Sequence, residues 1–177
     1  NDSEHGIYVK STWFNDVSAE ALAITQYRGT QRNGYIELTQ ADIVFNANHT
    51  FSTTQTPSAY HFQSVLLHEL GHFIGFPHYQ GGQSVMTPFI GRGWTEERLY
   101  AYDIDLIDRN YPASSRGSLN SFGAIEASRG PAAAVSAASV DSDESEIDPN
   151  FGREISGTIE LRANGDCLHY ENGELVH

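Results

Sequence analysis

The eleven residues His68-Glu69-Leu70-Gly71-His72-Phe73-Ile74-Gly75-Phe76-Pro77-His78 constrain the fold of this chain more than any other stretch. They fill all five fixed positions of H-E-x-x-H-x-x-G-x-x-H, a coincidence of roughly one in ten thousand for a chain of this length and composition. Phe62, Val65, Leu66, Leu70 and Phe73 recur at three- and four-residue intervals, which predicts an amphipathic helix over residues 60–75. His68 and His72 are one helical turn apart, about 400° of rotation, so both imidazoles leave the same face. Gly75 permits the positive φ that ends a helix, and Pro77 blocks its continuation and keeps Phe76 extended. The chain can then turn back and carry His78 to the point the other two histidines face.

Three neutral imidazoles suit Zn²⁺ and leave its fourth tetrahedral position for water, the mark of a catalytic rather than a closed structural site. Glu69 follows the first ligand and sits beside the metal without being forced to bind it. It can take the proton of a zinc-bound water as that water attacks a carbonyl, then pass it to the leaving amine, while Zn²⁺ polarises the carbonyl. The chemistry expected is amide hydrolysis without a covalent intermediate.

These residues resemble the metzincin clan of zinc metallopeptidases, in which the long motif is followed by a methionine turn under the metal. The single methionine of the chain, Met86, lies eight residues after His78 in Ser84-Val85-Met86-Thr87-Pro88. Within the clan the chain is most similar to short bacterial matrixin-like peptidases. Ala41-Asp42-Ile43-Val44-Phe45-Asn46 resembles their strand before the active-site helix, Gln63-Ser64-Val65-Leu66-Leu67 the helix entry, and residues 99–112 (LYAYDIDLIDRNYP) their last helix. The resemblance implies an α/β (α+β) catalytic domain with a twisted, mainly parallel sheet, an active-site helix and a C-terminal helix. It also implies a zinc-dependent metalloendopeptidase with a protein or peptide as substrate, secreted, at the cell surface or periplasmic, with His68, His72 and His78 as metal ligands and Glu69 as general base. Pro88, Phe89 and Ile90 then become candidates for the S1′ pocket wall, and the polar stretch Thr50 to Thr54 for the sheet edge that takes substrate. The chain departs from the matrixin pattern in having Tyr79 after the third histidine and Tyr102 before Asp103. A different class of function on the same fold is a zinc-binding adhesion or interaction module without proteolysis, against which the presence of Glu69 speaks.

The remainder of the chain divides by composition. Residues 113–150 contain 8 Ala, 9 Ser, 3 Gly and 2 Pro, too few large apolar side chains to offset the entropy of ordering them. This reads as a linker between a catalytic domain at 1–112 and a tail at 151–177. The acidic run Asp141 to Asp148 lacks the glycine turn of an EF-hand loop, so it reads as solvated chain rather than a calcium site. Upstream, residues 6–11, 21–28 and 34–46 have strand character, the last with an irregularity near Gln40, and residues 94–110 predict a second helix capped by Thr95. His49 and His61 read as surface or partly packed side chains. Ten Lys+Arg against 23 Asp+Glu give a net charge of −13, which repels phosphate backbones, so nucleic acid is not an expected partner. No apolar run approaches the length of a membrane span. One cysteine makes no intramolecular disulfide and leaves the compartment open, and a start at Asn1 suggests a processed or truncated product.

The tail carries Ile155, Ile159 and Leu161, then the turn dipeptide Asn164-Gly165, then Leu168 and Tyr170, the pattern of a β-hairpin over 154–176. It allows two readings. One is a small hairpin with one partly buried cysteine, docked on the surface or opening a sorting domain. The other follows from the resemblance, since some metzincin precursors are kept inactive by a Cys or Asp in the fourth zinc position; Cys167 or Asp166 would then be the ligand of an intramolecular inhibitor.

Overall fold

The computed structural model describes residues 5–32, 35–111 and 152–176, so the linker assigned to 113–150 and its acidic run lie outside the described residues. The strands are β1 (Gly6–Lys10), β2 (Ala21–Arg32), β3 (Tyr35–Asn46), β4 (Phe51–Ser52) and β5 (Tyr60–His61), followed by the helices α1 (Phe62–Phe73) and α2 (Ala101–Asn110). The tail adds β6 (Glu154–Arg162), β7 (Cys167–Glu171) and β8 (Glu174–Leu175). The architecture is α+β, with six strands in the order β1-β3-β2-β6-β7-β8 and the pair β4-β5 set apart.

The main sheet is mixed, which corrects the expectation of mainly parallel strands. Among its described strands only β1 and β3 pair in parallel, and the pairs β2/β3, β2/β6, β6/β7 and β7/β8 are antiparallel. The reason is connection length: β2 ends at Arg32 and β3 begins at Tyr35, and two intervening residues can join only antiparallel neighbours. The irregularity expected near Gln40 is a bulge, since Arg28 pairs with Gln40 and Gly29 with Leu38, leaving Thr39 as the extra residue. Of Thr50 to Thr54, Phe51 and Ser52 form β4, whose only strand partner among the described residues is β5, so the stretch is not an edge of the main sheet.

Strand β2 is buried on both faces, with Ala21, Leu22, Ala23, Ile24 and Thr25 all at 0% exposure. On one side Leu22 and Ala23 join Phe45, Val65 and Leu161 beneath α1, and on the other Ile24 and Val44 meet Trp13, Phe14 and Val17. The tail is part of this core, because Ile155, Ile159 and Leu161 of β6 are buried in it. At roughly 1.5–3 kcal/mol for each large apolar side chain buried, these three hold β6 firmly against β2.

Helix α2 begins at Ala101, seven residues later than the sequence pattern suggests. The Glu96 N–H is taken by Ser64 Oγ at 2.6 Å, and the Asp103 carboxylate accepts the Tyr100 N–H at 2.8 Å, so Tyr100 rather than Thr95 starts the helix. Its inner face carries Leu106 and Ile107 against Phe76 and Met86, whereas Leu99 and Ile104 are exposed. His61 is not a surface residue: it is 1% exposed, with Nδ1 2.8 Å from Ser64 Oγ and Nε2 3.2 Å from Glu97. Among the described residues no helix is long and apolar enough to cross a membrane.

Candidate metal centre

Helix α1 ends in a Schellman turn, with the Phe76 N–H donating to Gly71 O at 2.9 Å and the Gly75 N–H to His72 O at 2.8 Å. Gly75 takes φ +89°, as the sequence requires, and nothing lies near the position a side chain there would fill. Phe76 is buried against Val85 and Met86, which fixes the exit direction of the chain and brings His78 round to the helix. The three imidazoles then stand together, with ring centroids 4.6 Å apart for His68 and His72, 4.6 Å for His72 and His78, and 5.5 Å for His68 and His78.

The backbone sets their tautomers. His68 Nδ1 donates to Val85 O and His72 Nδ1 to Phe76 O, each at 2.8 Å, which turns both Nε2 atoms inward. Burial pushes His68 down to about 4 and His72 well below the usual histidine range, so both are neutral near pH 7. Their Nε2 lone pairs face each other at 3.1 Å, an arrangement that repels unless a cation lies between them. Two nitrogens on tetrahedral Zn²⁺ would stand about 3.3 Å apart, from Zn–N bonds of about 2.0–2.1 Å. The donor set fits that ion. His68, His72 and His78 share the site with Cys167, and the four ligand atoms lie within 4.8 Å of one another.

Glu69 lies between the two helical histidines in sequence and is 0% exposed. Thr25 on β2 places its hydroxyl 2.5 Å from Glu69 Oε2, while Oε1 has no hydrogen-bond partner among the described residues. Burial pushes the Glu69 carboxyl up to about 8, against the opposing effect of the Thr25 bond. A buried carboxylate with one oxygen held and one open is equipped to receive a proton, and a cation beside it would stabilise its charged form.

Met86 is fully buried under α1, and a Cβ added at Gly71 would lie 2.1 Å from its Sδ, so Gly71 is the gap that lets Met86 sit there. The turn that carries Met86 is held from α2. Asp103, 1% exposed, accepts from Ser84 Oγ at 2.5 Å and from the Val85 N–H at 3.1 Å, and Val85 O in turn receives His68 Nδ1. Thr25, Gly71 and Asp103 were not singled out by the sequence pattern. The two departures at Tyr79 and Tyr102 explain each other, because their rings stack at 3.6 Å with 12° between planes.

The residues proposed for the S1′ wall are less open than expected. Ile90 is buried and Phe89 half exposed; both line a cavity of only about 20 Å³, near the space of one water, and Pro88 does not line it. A larger cleft, about 960 Å³, opens beside His72 and His78 between Ile36 and Leu38 on one side and Ile74 and Phe76 on the other. Of the two tail residues, Asp166 is exposed and its carboxylate accepts from Asn164 Nδ2 at 2.7 Å, apart from the histidines. Cys167 Sγ lies 3.8 Å from His68 Nε2 and 3.9 Å from His72 Nε2.

A helix presenting two histidines and a glutamate, a glycine turn that returns a third histidine, and a buried methionine turn beneath them define a metallopeptidase-type centre. Comparison with family models matches residues 10–112 to matrixin, more than half of the 177 residues. The chain belongs to the matrixin family of zinc-dependent metallopeptidases. No curated protein and no solved structure matches it. The tail strands β6 to β8 lie outside the matched range.

Proposed function

We propose that this protein is a zinc-dependent endopeptidase in which His68, His72 and His78 hold the metal and Glu69 is the general base. The reading is carried by one observation: three imidazoles converge beside a fully buried carboxylate whose Oε1 is open while Thr25 holds Oε2. Zn²⁺ bound there supplies a Lewis acid for the scissile carbonyl and lowers the pKa of water. Glu69 Oε1 takes the proton of the attacking water and returns it to the leaving amine, and Thr25 keeps the carboxylate from rotating. Val85 O and Phe76 O hold the histidines in the tautomer that offers Nε2, and the apolar cleft between Leu38 and Phe76 receives a substrate side chain.

The test is cleavage of an unfolded protein by the zinc-loaded chain, by its Cys167→Ala variant and by Glu69→Gln in each background. Hydrolysis that needs Zn²⁺ and falls at least about 10²-fold in Glu69→Gln supports the reading. Zinc-loaded chains that cleave nothing with or without Cys167 would leave an interaction module in its place.

A further inference from the structure

We infer that Cys167 is a fourth ligand of the metal and that its thiolate, seated by the β6-β7 hairpin of the same chain, takes the coordination position of the catalytic water. This rests on the metallopeptidase reading of the three histidines. Cysteine and histidine spaced 99 residues apart in sequence meet here because of the sheet. Strand β6 pairs along β2 from Thr30↔Glu154 to Ala21↔Arg162, and β7 folds back on β6 with Leu161 opposite Cys167. The hairpin thereby extends the sheet from the edge of β2 opposite β3 and brings Sγ to the histidines.

The distances are those a shared ion would impose. On tetrahedral Zn²⁺ a thiolate at about 2.3 Å and an imidazole nitrogen at about 2.0–2.1 Å stand about 3.6 Å apart. Sγ is 3.8 and 3.9 Å from the two Nε2 atoms, whose own separation is 3.1 Å. The open Oε1 of Glu69, on a side chain with no exposure, is a second mark of a ligand-directed site, since nothing else among the described residues meets it. Three imidazoles and a thiolate fill the coordination of Zn²⁺, and the water that Glu69 would deprotonate then has no place. On binding, the Cys167 thiol gives its proton to solvent, so metal uptake by the closed form releases one proton more than uptake by the three neutral histidines alone.

The hairpin is seated by more than the cysteine. Tyr27 Oη lies 2.7 Å from His169 Nε2, Tyr60 Oη donates to Ala163 O at 3.3 Å, and the Ala163 N–H donates to Glu20 O at 2.7 Å. Gly157 leaves room for the Tyr27 ring, since a Cβ there would lie 2.3 Å from it. Gly165 sits on Phe89, so the turn before Cys167 rests on the segment that follows the methionine turn. The cleft beside His72 and His78 stays open with the hairpin in place, so loss of the thiolate alone should admit water and a short peptide.

The experiment loads the full chain with Co²⁺ and compares it with Cys167→Ala and Cys167→Ser. The expected result is a thiolate-to-Co²⁺ charge-transfer band in the near ultraviolet that both variants lack, together with a thiol that reacts at least about tenfold more slowly with a disulfide reagent when Zn²⁺ is bound than after chelation. Zinc-loaded Cys167→Ala should hydrolyse a short peptide at least about tenfold faster than the parent chain, because only the variant has a free fourth position. No charge-transfer band, or a thiol equally reactive with and without metal, overturns the inference. So does a band accompanied by equal hydrolysis in the parent and Cys167→Ala, which would show that the thiolate does not close the site. Equal zinc-dependent cleavage by both leaves the peptidase reading standing, whereas failure of both to cleave removes that reading while the band still decides whether Cys167 is a ligand.

Discussion

Thr25 on β2 donates its hydroxyl to Glu69 on α1 across 2.5 Å, and both side chains are fully buried. The bond favours the charged carboxylate and leaves Oε1 free. In the Cys167→Ala background, Thr25→Val keeps the shape and removes the donor, so the Glu69 carboxyl moves higher still and the acid limb of the pH–rate profile shifts upward. A fall of about tenfold in kcat/KM is expected, a fraction of what the base itself supplies. Thr25→Ser should restore both limb and rate. An unmoved acid limb in Thr25→Val would assign the hydroxyl to packing alone.

Asp103 links the second helix to the metal centre. It caps α2 at Tyr100, holds Ser84 and the Val85 N–H, and so fixes the carbonyl that orients His68. Asp103→Ala leaves these donors without a partner, and a loss of about 3 kcal/mol of stability is expected. Zinc affinity should fall about 10–100-fold, the usual effect of removing the support of a ligand. Chelator competition below the variant's unfolding temperature separates the two effects, and unchanged affinity would confine Asp103 to capping.

The centre itself was legible in the sequence because its signals are local: a helical period, two histidines one turn apart, and a glycine and proline that end the helix. The supports were not. Thr25 stands in a strand whose pattern gives no reason to prefer a hydroxyl, and Asp103 resembles any acidic residue near a helix start until Ser84 and Val85 are found beside it. The second helix began late because backbone N–H groups of Glu96 and Tyr100 found side-chain acceptors, which periodicity does not reveal. The turn at Asn164-Gly165 announced a hairpin, but its pairing with β2 spans more than a hundred residues and has no local signature.

Metal-free protein should be most stable near pH 6.5. His68 titrates near 4 and His72 well below its ordinary 6.5, so between about 4.5 and 6.5 the unfolded chain binds protons that these two refuse when folded, and stability rises with pH. Glu69 acts in the opposite sense: folded, it keeps its proton to about 8, while the unfolded carboxyl loses it near 4.5. Two rising contributions outweigh one falling contribution below 6.5, and above it only Glu69 remains, lowering stability by about 1.4 kcal/mol per pH unit up to 8. Thermal unfolding of chelated protein at pH 5, 6.5 and 8 measures this. Glu69→Gln should abolish the decline above 6.5 and steepen the rise with pH below it; a chelated parent chain still gaining stability at pH 8 would contradict the assignment.

The fit of Gly165 on Phe89 supplies a way to loosen the hairpin without touching a ligand. Gly165 has φ +92°, and a Cβ there would lie 2.2 Å from the Phe89 ring. Gly173, in the turn between β7 and β8, has φ +86° with nothing within 4 Å, so Gly173→Ala carries the backbone strain alone, about 1 kcal/mol. Gly165→Ala, two residues before Cys167, adds displacement of an aromatic ring that follows the methionine turn. The reaction rate of the Cys167 thiol in the zinc-loaded chain should therefore rise several-fold in Gly165→Ala and change little in Gly173→Ala, at temperatures where both remain folded. Equal rates in the two variants would mean that the turn does not help seat Cys167, and that β6 alone positions the thiol.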